Sequence, residues 1–267
     1  MTGDRSNLFA GAAWYYARYR PGYPESFFRH VIARFALDRT ARLLDLGCGT
    51  GQLALPLSPH VAEVVGIDPD PEMLAEAAAQ AATMGIDNVR WVQGGDRDLD
   101  RLASDLGIFR AVTMGRSFHW MDRAATLRSL DRMIDWGGGV VLAGEDERIW
   151  NVSGVWQEAV RGAIQRWLGA TRRAGSGMYA VPEDPFEEAL ARSAFARVER
   201  YATMYQRTVT VNALIGYLYS TSYCSPALLG DNRAAFEADL RQTLHPLAPD
   251  GSLTEAVELV AYLARRR

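Results

Sequence analysis

The chain contains no lysine: all 29 of its basic residues are arginine. That absence excludes a lysine Schiff base, a P-loop lysine and the Tyr-x-x-x-Lys pair of short-chain dehydrogenases. Cysteine is nearly absent as well. Cys48 and Cys224 have no metal-ligand spacing, and a disulfide between them is not expected in a reducing compartment. No apolar run reaches the ~18 residues that a membrane helix needs. The opening "MTGDRSNLFAG" has no apolar signal core, so the expectation is a cytoplasmic protein with no membrane partner. Neither sign of charge dominates: the net charge is −3 over 267 residues, which provides no basic footprint for nucleic acid. His30, His60 and His245 are scattered, and no His/Asp/Glu cluster has ligand spacing, so no metal is expected. There is no internal repeat and no low-complexity tract.

What is present begins with an alternation. "ARLLDLG" (41–47), "EVVGID" (63–68), "NVRWVQG" (88–94), "FRAVTMG" (109–115) and "VVLAGE" (140–145) read as strands, with helical segments between them. The clearest helix starts at Asp70 as N-cap, with Pro71 in the first helical position, and stops at Gly85. Another runs from Asp122 to the "GGG" at 137–139. Such alternation implies parallel βαβ units and a doubly wound sheet. After residue 150 the rhythm breaks. "GVWQEAVRGAIQRWLG" (154–169) is an amphipathic helix, and residues 171–185 read as a loop. "PFEEALARSAF" reads as a short helix, "ARVERYATMYQRTVT" as a strand, and residues 211–223 and "NRAAFEADLRQTLH" as helices. "TEAVELVAYLARR" fits a last strand or a helix. The expected organisation is an N-terminal segment (1–30), a cofactor-binding core (31–150), and a remainder (151–267) that completes the sheet and carries helical insertions after strands five and six.

The sharpest signal is "LLDLGCGTGQL" (43–53). Gly47 permits a sharp turn, Gly49 lets a ligand approach the backbone, and Gly51 lets the following helix pack closely. Helix N-terminal N–H groups would then face the ligand. Asp68 stands 21 residues after Gly47, at the end of the second strand, where a carboxylate accepts both hydroxyl hydrogens of a ribose. The spacing is not the G-x-G-x-x-G of a dinucleotide site, and Asp45 ahead of the turn would repel phosphate while suiting a cationic or ammonium-bearing ligand.

The run Asp45-x-Gly47-Cys48-Gly49-x-Gly51 resembles the first motif of the class I S-adenosylmethionine-dependent methyltransferases, and the likeness extends over about residues 12–145. It implies a seven-stranded doubly wound Rossmann-like sheet with helical lid insertions, and S-adenosyl-L-methionine as cofactor, leaving S-adenosyl-L-homocysteine. "GIDPDPEML" is similar to the second motif, with Asp68 on the ribose and Pro69 and Met73 beside the adenine. "QGGDRDL" is similar to the motif at the adenine edge, which would put Asp96 or Arg97 near the exocyclic amine. "FRAVTMGRSFHWMD" is similar to the fourth motif, where the strand end at Met114 and Gly115 faces both the methionine portion and the acceptor. "YYARYRPGYP" (15–24) resembles the family's preamble, which closes over the cofactor. Tyr16 would then line the cofactor, and Arg18 or Arg20 would pair with its carboxylate. Eight of the chain's 27 aromatics lie between Phe9 and Phe28. The flavour is that of bacterial small-molecule methyltransferases of natural-product pathways, antibiotic N-methyltransferases among them.

Methyl transfer from a sulfonium is an in-line displacement, and alignment with exclusion of water does most of the work. His119 is the candidate base, its ordinary pKa lying near neutrality; the bland alternative is that it packs. Phe9, Tyr15, Phe118, Trp120, Tyr217 and Tyr219 are candidate acceptor contacts, with Tyr223 beside them, and core positions account for them equally well. A nicotinamide oxidoreductase is the runner-up, without its glycine spacing or a hydride-transfer dyad. A non-catalytic adenosyl-ligand binder is the third reading. A small-molecule acceptor is expected, and homo-oligomerisation stays open.

Overall fold

The computed structural model describes residues 9, 11–145, 149–175, 177–178 and 185–266. Seven strands form one sheet: β1 Arg42–Leu46, β2 Glu63–Asp68, β3 Val89–Gln93, β4 Phe109–Gly115, β5 Ile134–Glu145, β6 Arg197–Thr210 and β7 Ser252–Arg265, in the order β3-β2-β1-β4-β5-β7-β6. The first five are parallel, with Asp45 beside Gly66 on β2 and beside Thr113 on β4. The last two run the other way or back again. Arg266, just past β7, donates to the Ile134 carbonyl at 2.9 Å, whereas Ala264 lies against Gly139, so β7 descends as β5 ascends. Arg207 pairs with Glu255 and the Val211 N–H donates to Gly251 O at 3.0 Å, so β6 is antiparallel to β7. The sheet is therefore mixed, with purely parallel winding confined to its first five strands.

The helices are α1 Ala13–Tyr19, α2 Glu25–Phe35, α3 Ala54–Leu57, α4 Pro71–Met84, α5 Leu99–Leu106, α6 Arg123–Asp131, α7 Val155–Leu168, α8 Phe186–Ala191, α9 Val211–Tyr219, α10 Pro226–Leu229 and α11 Arg233–Leu244. Helix α4 has the ends its sequence predicts. Asp70 accepts from the Glu72 N–H at 2.8 Å, and Gly85 closes the helix in the left-handed region at φ 67°. Helix α6 stops at Asp131, short of the expected stop, and the glycines at 137–139 lie inside β5. Their role is close approach. A β-carbon on Gly138 would run into the Arg110 carbonyl, and one on Gly139 into the Ala264 carbonyl. "TEAVELVAYLARR" is the last strand, not a helix.

The chain divides into two compact units. One comprises residues 22–144, 182–203 and 259–267. Its core gathers Leu44, Leu46, Val65, Ile67, Val112, Met114 and Val140 from the strands with Leu99, Leu102 and Leu127 from the flanking helices. The other comprises residues 1–21, 145–181 and 204–258. Its core is formed by α7, α9 and α11, with Trp156, Val160, Ile164, Leu214, Leu218, Phe236 and Leu240 buried, and α1 packs on α9 where Gly216 leaves room for the Tyr19 ring. The expected loop at 171–185 contains a small antiparallel pairing of Arg173–Ala174 with Gly177–Met178; residues 176 and 179–184 lie outside the described residues, as do 1–8 and 10 of the expected N-terminal segment. No helix among the described residues is long and apolar enough to cross a membrane.

Candidate active site

The glycine turn sits at the carboxyl end of β1. Gly47, Gly49 and Gly51 all have positive φ, at 71°, 53° and 85°, which a side chain would strain. The N–H groups of Gly47 and Cys48 both donate to Ile67 O, at 2.8 and 3.0 Å, so the turn folds back over the end of β2. A β-carbon on Gly47 would stand 2.5 Å from Ser117 Cβ, and one on Gly51 2.9 Å from Leu55 Cγ. Two of the three glycines thus do packing work, Gly51 in the role its position predicted.

Asp68 ends β2 and holds the turn. Its Oδ2 accepts the Gly49 N–H at 2.8 Å and its Oδ1 accepts the Asp70 N–H at 3.0 Å. It is buried, and burial pushes its pKa up to about 6, although the two N–H bonds pull the other way; Asp70 adds like-charge repulsion. Each carboxylate oxygen keeps a lone pair beyond the one used. A vicinal diol brings two neutral O–H donors and no extra negative charge, which suits an acid in this state. The hydroxyl of Thr50, inside the turn, is buried with no hydrogen-bond partner. The residues present therefore fit the ribose of an adenosyl cofactor.

Asp45 is placed differently from expectation. It is 1% exposed, accepts the Thr113 hydroxyl at 2.7 Å and the Ala54 N–H at 3.2 Å, and burial pushes its pKa up to about 7. It latches β1 to β4 and to the start of α3, and is not presented to an ammonium group. The helix after the turn also differs. It is one turn long, with Pro56 within it and Pro59 just beyond, and its first N–H groups are taken by Asp45 and Gly51 O. It offers no helix N-terminus to a ligand.

The other candidates in this unit divide by burial. Cys48 is buried and burial raises its thiol pKa, so it is inert packing beside Gly66. Pro69 is exposed, whereas Met73 is buried on the inner face of α4. Asp96 accepts the Asp122 N–H at 2.9 Å, and Arg97 is exposed. Met114 belongs to the core, while Gly115 is half-buried at the strand end. Phe118 is 1% exposed and meets Phe186 edge-on at 5.4 Å, so it is core and not a pocket wall. His119 and Trp120 share a short 3-10 turn, are half-buried, and stand 4.5 Å apart at 45°.

The remaining candidates belong to the other unit. Phe9 meets Tyr16 edge-on at 6.1 Å. The Arg20 guanidinium lies 5.2 Å from both the Tyr16 and Tyr217 rings. Arg18 instead covers Trp14 and donates to its carbonyl. Tyr15 packs on Tyr219 at 5.1 Å and is bonded by Arg233. The Tyr219 hydroxyl reaches Glu237 at 3.1 Å, and burial with that acid pushes its pKa up to about 12. Tyr217, Tyr219 and Tyr223 are all buried in this unit's core. Among the described residues there is no group of three or more metal-ligating side chains.

Three half-buried residues beside the turn escaped the sequence reading: Tyr23, Gln52 and Arg116. Tyr23 lay within the aromatic N-terminal stretch, but nothing in the sequence marks Arg116 as left-handed.

Comparison with known proteins agrees with this geometry. Residues 43–138, from β1 into β5, match the family model of a methyltransferase domain. A Mycobacterium bovis protein described as an uncharacterized methyltransferase is 29% identical over 231 residues, spanning 84% of this chain and 81% of its own. A shorter stretch, 24% of this chain and 15% of the relative, is 40% identical to a 23S rRNA (uracil(1939)-C(5))-methyltransferase of Shewanella sediminis. The fold is shared with a methyltransferase of Thiobacillus denitrificans solved with S-adenosyl-L-homocysteine, at a TM-score of 0.55 and 17% identity over the whole of both chains. With the glycine turn, Asp68 in register and the strand order already in place, residues 43–138 form a methyltransferase domain on the fold of the S-adenosylmethionine-dependent methyltransferases.

Proposed function

We propose that the enzyme moves a methyl group from S-adenosyl-L-methionine to a nitrogen or oxygen of a small-molecule metabolite. The observation that carries the cofactor assignment is Asp68, a buried carboxylate fastened to the glycine turn by one oxygen and to the start of α4 by the other. The bound cofactor supplies an electrophilic methyl on a sulfonium whose leaving group is neutral. Asp68 accepts the ribose hydroxyls, and the bare glycine backbone lets the ligand come close. His119 takes the proton from an acceptor that arrives protonated or is a poor nucleophile.

The small-molecule reading is supported by the net charge of −3 and the lack of a basic stripe. The rRNA-acting relative matches less than a quarter of the chain, too little to carry its substrate across. A metabolite of a natural-product pathway is the finer form of the reading. Single-turnover assays with a radiolabelled methyl donor test it, using a panel of amines and phenols beside bulk RNA, DNA and protein. Label is expected in an amine or phenol; efficient labelling of a macromolecule overturns the small-molecule assignment. For His119→Ala, turnover should fall by about 10²–10⁴ with cofactor affinity kept. A loss of only a fewfold would mean that the imidazole merely packs.

A further inference from the structure

We propose that Arg34, Arg110 and Arg265 form a binding site for a phosphoryl group at the amino edge of the sheet, away from the glycine turn. The three arginines come from three elements of one compact unit: the last turn of α2, the start of β4 and the end of β7. The glycine turn follows the carboxyl end of β1, which is parallel to β4, so Arg110 stands at the opposite edge. Because β7 descends, its last residue reaches that edge as well: the next one, Arg266, donates to Ile134 O at the start of β5 at 2.9 Å. Missing side chains make room. A β-carbon on Gly137 would stand 2.6 Å from Arg110 Nη1, and one on Gly139 2.8 Å from the Phe35 ring. The Arg265 guanidinium lies over that ring, 5.2 Å from its centre.

The protein leaves this cluster of cations under-compensated. Arg34 donates through Nε to Glu199 Oε2 at 2.6 Å, and Arg110 Nε pairs with Asp135 Oδ2 at 3.0 Å. Arg265 has no ion pair or hydrogen bond among the described residues, and its Nε is buried without a partner. Burial, then repulsion by Arg110 and Arg34, lowers its pKa, against the pull of Glu199. The nearby acids are engaged elsewhere too. Glu199 Oε1 is bonded to His30 Nε2 at 2.7 Å, Asp135 Oδ1 accepts the Gly137 N–H at 3.0 Å, and Asp38 Oδ1 is held by Thr40 and Ala41. The last carbonyls of α2 are closed as well, Ala33 O by the Ala36 N–H and Ile32 O by the Leu37 N–H. Arg34 and Arg110 spend only Nε on the protein, which leaves the Nη donors of all three guanidinium groups for a ligand. A planar carboxylate is matched to one guanidinium fork at a time. An anion with three strong acceptor oxygens and more than one negative charge serves three arginines together, and a phosphoryl group is that anion.

Calorimetry and thermal denaturation of the full chain test this, with inorganic phosphate and phenyl phosphate as probes and chloride at matched ionic strength as control. Both phosphates should raise the melting temperature above the chloride control, since a ligand of the folded state stabilises it. Tighter binding of inorganic phosphate marks a free anion as the occupant; tighter binding of the phenyl ester marks a phosphoryl group carried on an organic body. Arg265→Gln should weaken the preferred probe about tenfold or more, while Arg265→Lys retains part of the affinity. In chloride alone, Arg265→Gln should melt at or above the wild-type temperature, because one of three like charges is gone. Arg110→Gln, on a different strand, should weaken the same probe in the same direction, which guards against a poorly folded Arg265 variant. Affinity for S-adenosylhomocysteine should stay within twofold in both, because the glycine turn lies at the other edge. Melting temperatures that rise no more with either phosphate than with chloride would overturn the proposal. So would phosphate binding that both glutamine variants keep within twofold.

Discussion

A single carboxylate illustrates how much chemistry a position can hold. Asp68 is buried, bonded to two backbone N–H groups, and raised to a pKa of about 6 chiefly by desolvation. Its ionised form accepts hydroxyl donors best, so S-adenosylhomocysteine affinity should fall as pH drops below about 6. Calorimetry between pH 5 and 8 checks this, and Asp68→Asn should flatten the profile. Asp68→Ala should weaken the ligand about tenfold or more, since hydrogen bonds to a charged group contribute ~1.5–3 kcal/mol each. Gly47 makes a different demand. Gly47→Ala meets both φ 71° and Ser117 Cβ at 2.5 Å, so it should destabilise by about 1–3 kcal/mol and weaken the same ligand. An unchanged melting temperature would show that the turn relaxes freely.

At the scale of elements, the sheet is fastened by groups that its strands do not advertise. Asp45 couples β1, β4 and α3, and its pKa is raised to about 7 by burial. A carboxyl whose folded pKa lies above its unfolded value adds stability that is complete below pH ~4. That stability is lost as pH rises through 7. Asp68 shifts in the same direction, so thermal stability of the ligand-free protein should decline from about pH 4 to pH 7. Asp45→Asn should remove part of that slope and raise the melting temperature at pH 8 more than at pH 5. Strand β5 depends on missing side chains instead. Gly139→Val would push a side chain into the Ala264 carbonyl and part β7 from β5. Overpacking of this kind costs about 1–3 kcal/mol or more, which chemical denaturation would read directly.

At the scale of the whole molecule, the candidate residues are divided between the two compact units, whose bounds differ from the expected 1–30, 31–150 and 151–267. The glycine turn, Asp68 and His119 lie in the unit comprising 22–144, 182–203 and 259–267, while α1, α9 and the buried tyrosines lie in the other. Deleting residues 1–20 removes α1 from α9. Gly216→Val does the same damage more locally by striking the Tyr19 ring. Both variants should lose methyl transfer while S-adenosylhomocysteine still raises the melting temperature. Full activity in either would show that the packing of α1 on α9 is not needed for turnover.

What the sequence determined by itself is local or periodic. The strands around "LLDLGCGTGQL", the capped helix from Pro71 to Gly85 and the register of Asp68 after Gly47 are all short-range consequences of residue type, and the structure has them. Only the tertiary structure decided what crosses the chain. The glycines at 137–139 look like a helix stop, but Gly138 and Gly139 are spaces for the carbonyls of Arg110 and Ala264, the second of them more than a hundred residues away. Phe118, Met114 and the buried tyrosines could line a pocket or fill a core, because an aromatic or apolar side chain serves either, and burial among distant partners made them core. Asp45 reads as ligand-facing until Thr113 closes over it. The left-handed turn of Arg116 has no sequence signature, and the carbonyl that its N–H meets, Ala143 O on the neighbouring strand, is supplied only by the tertiary structure.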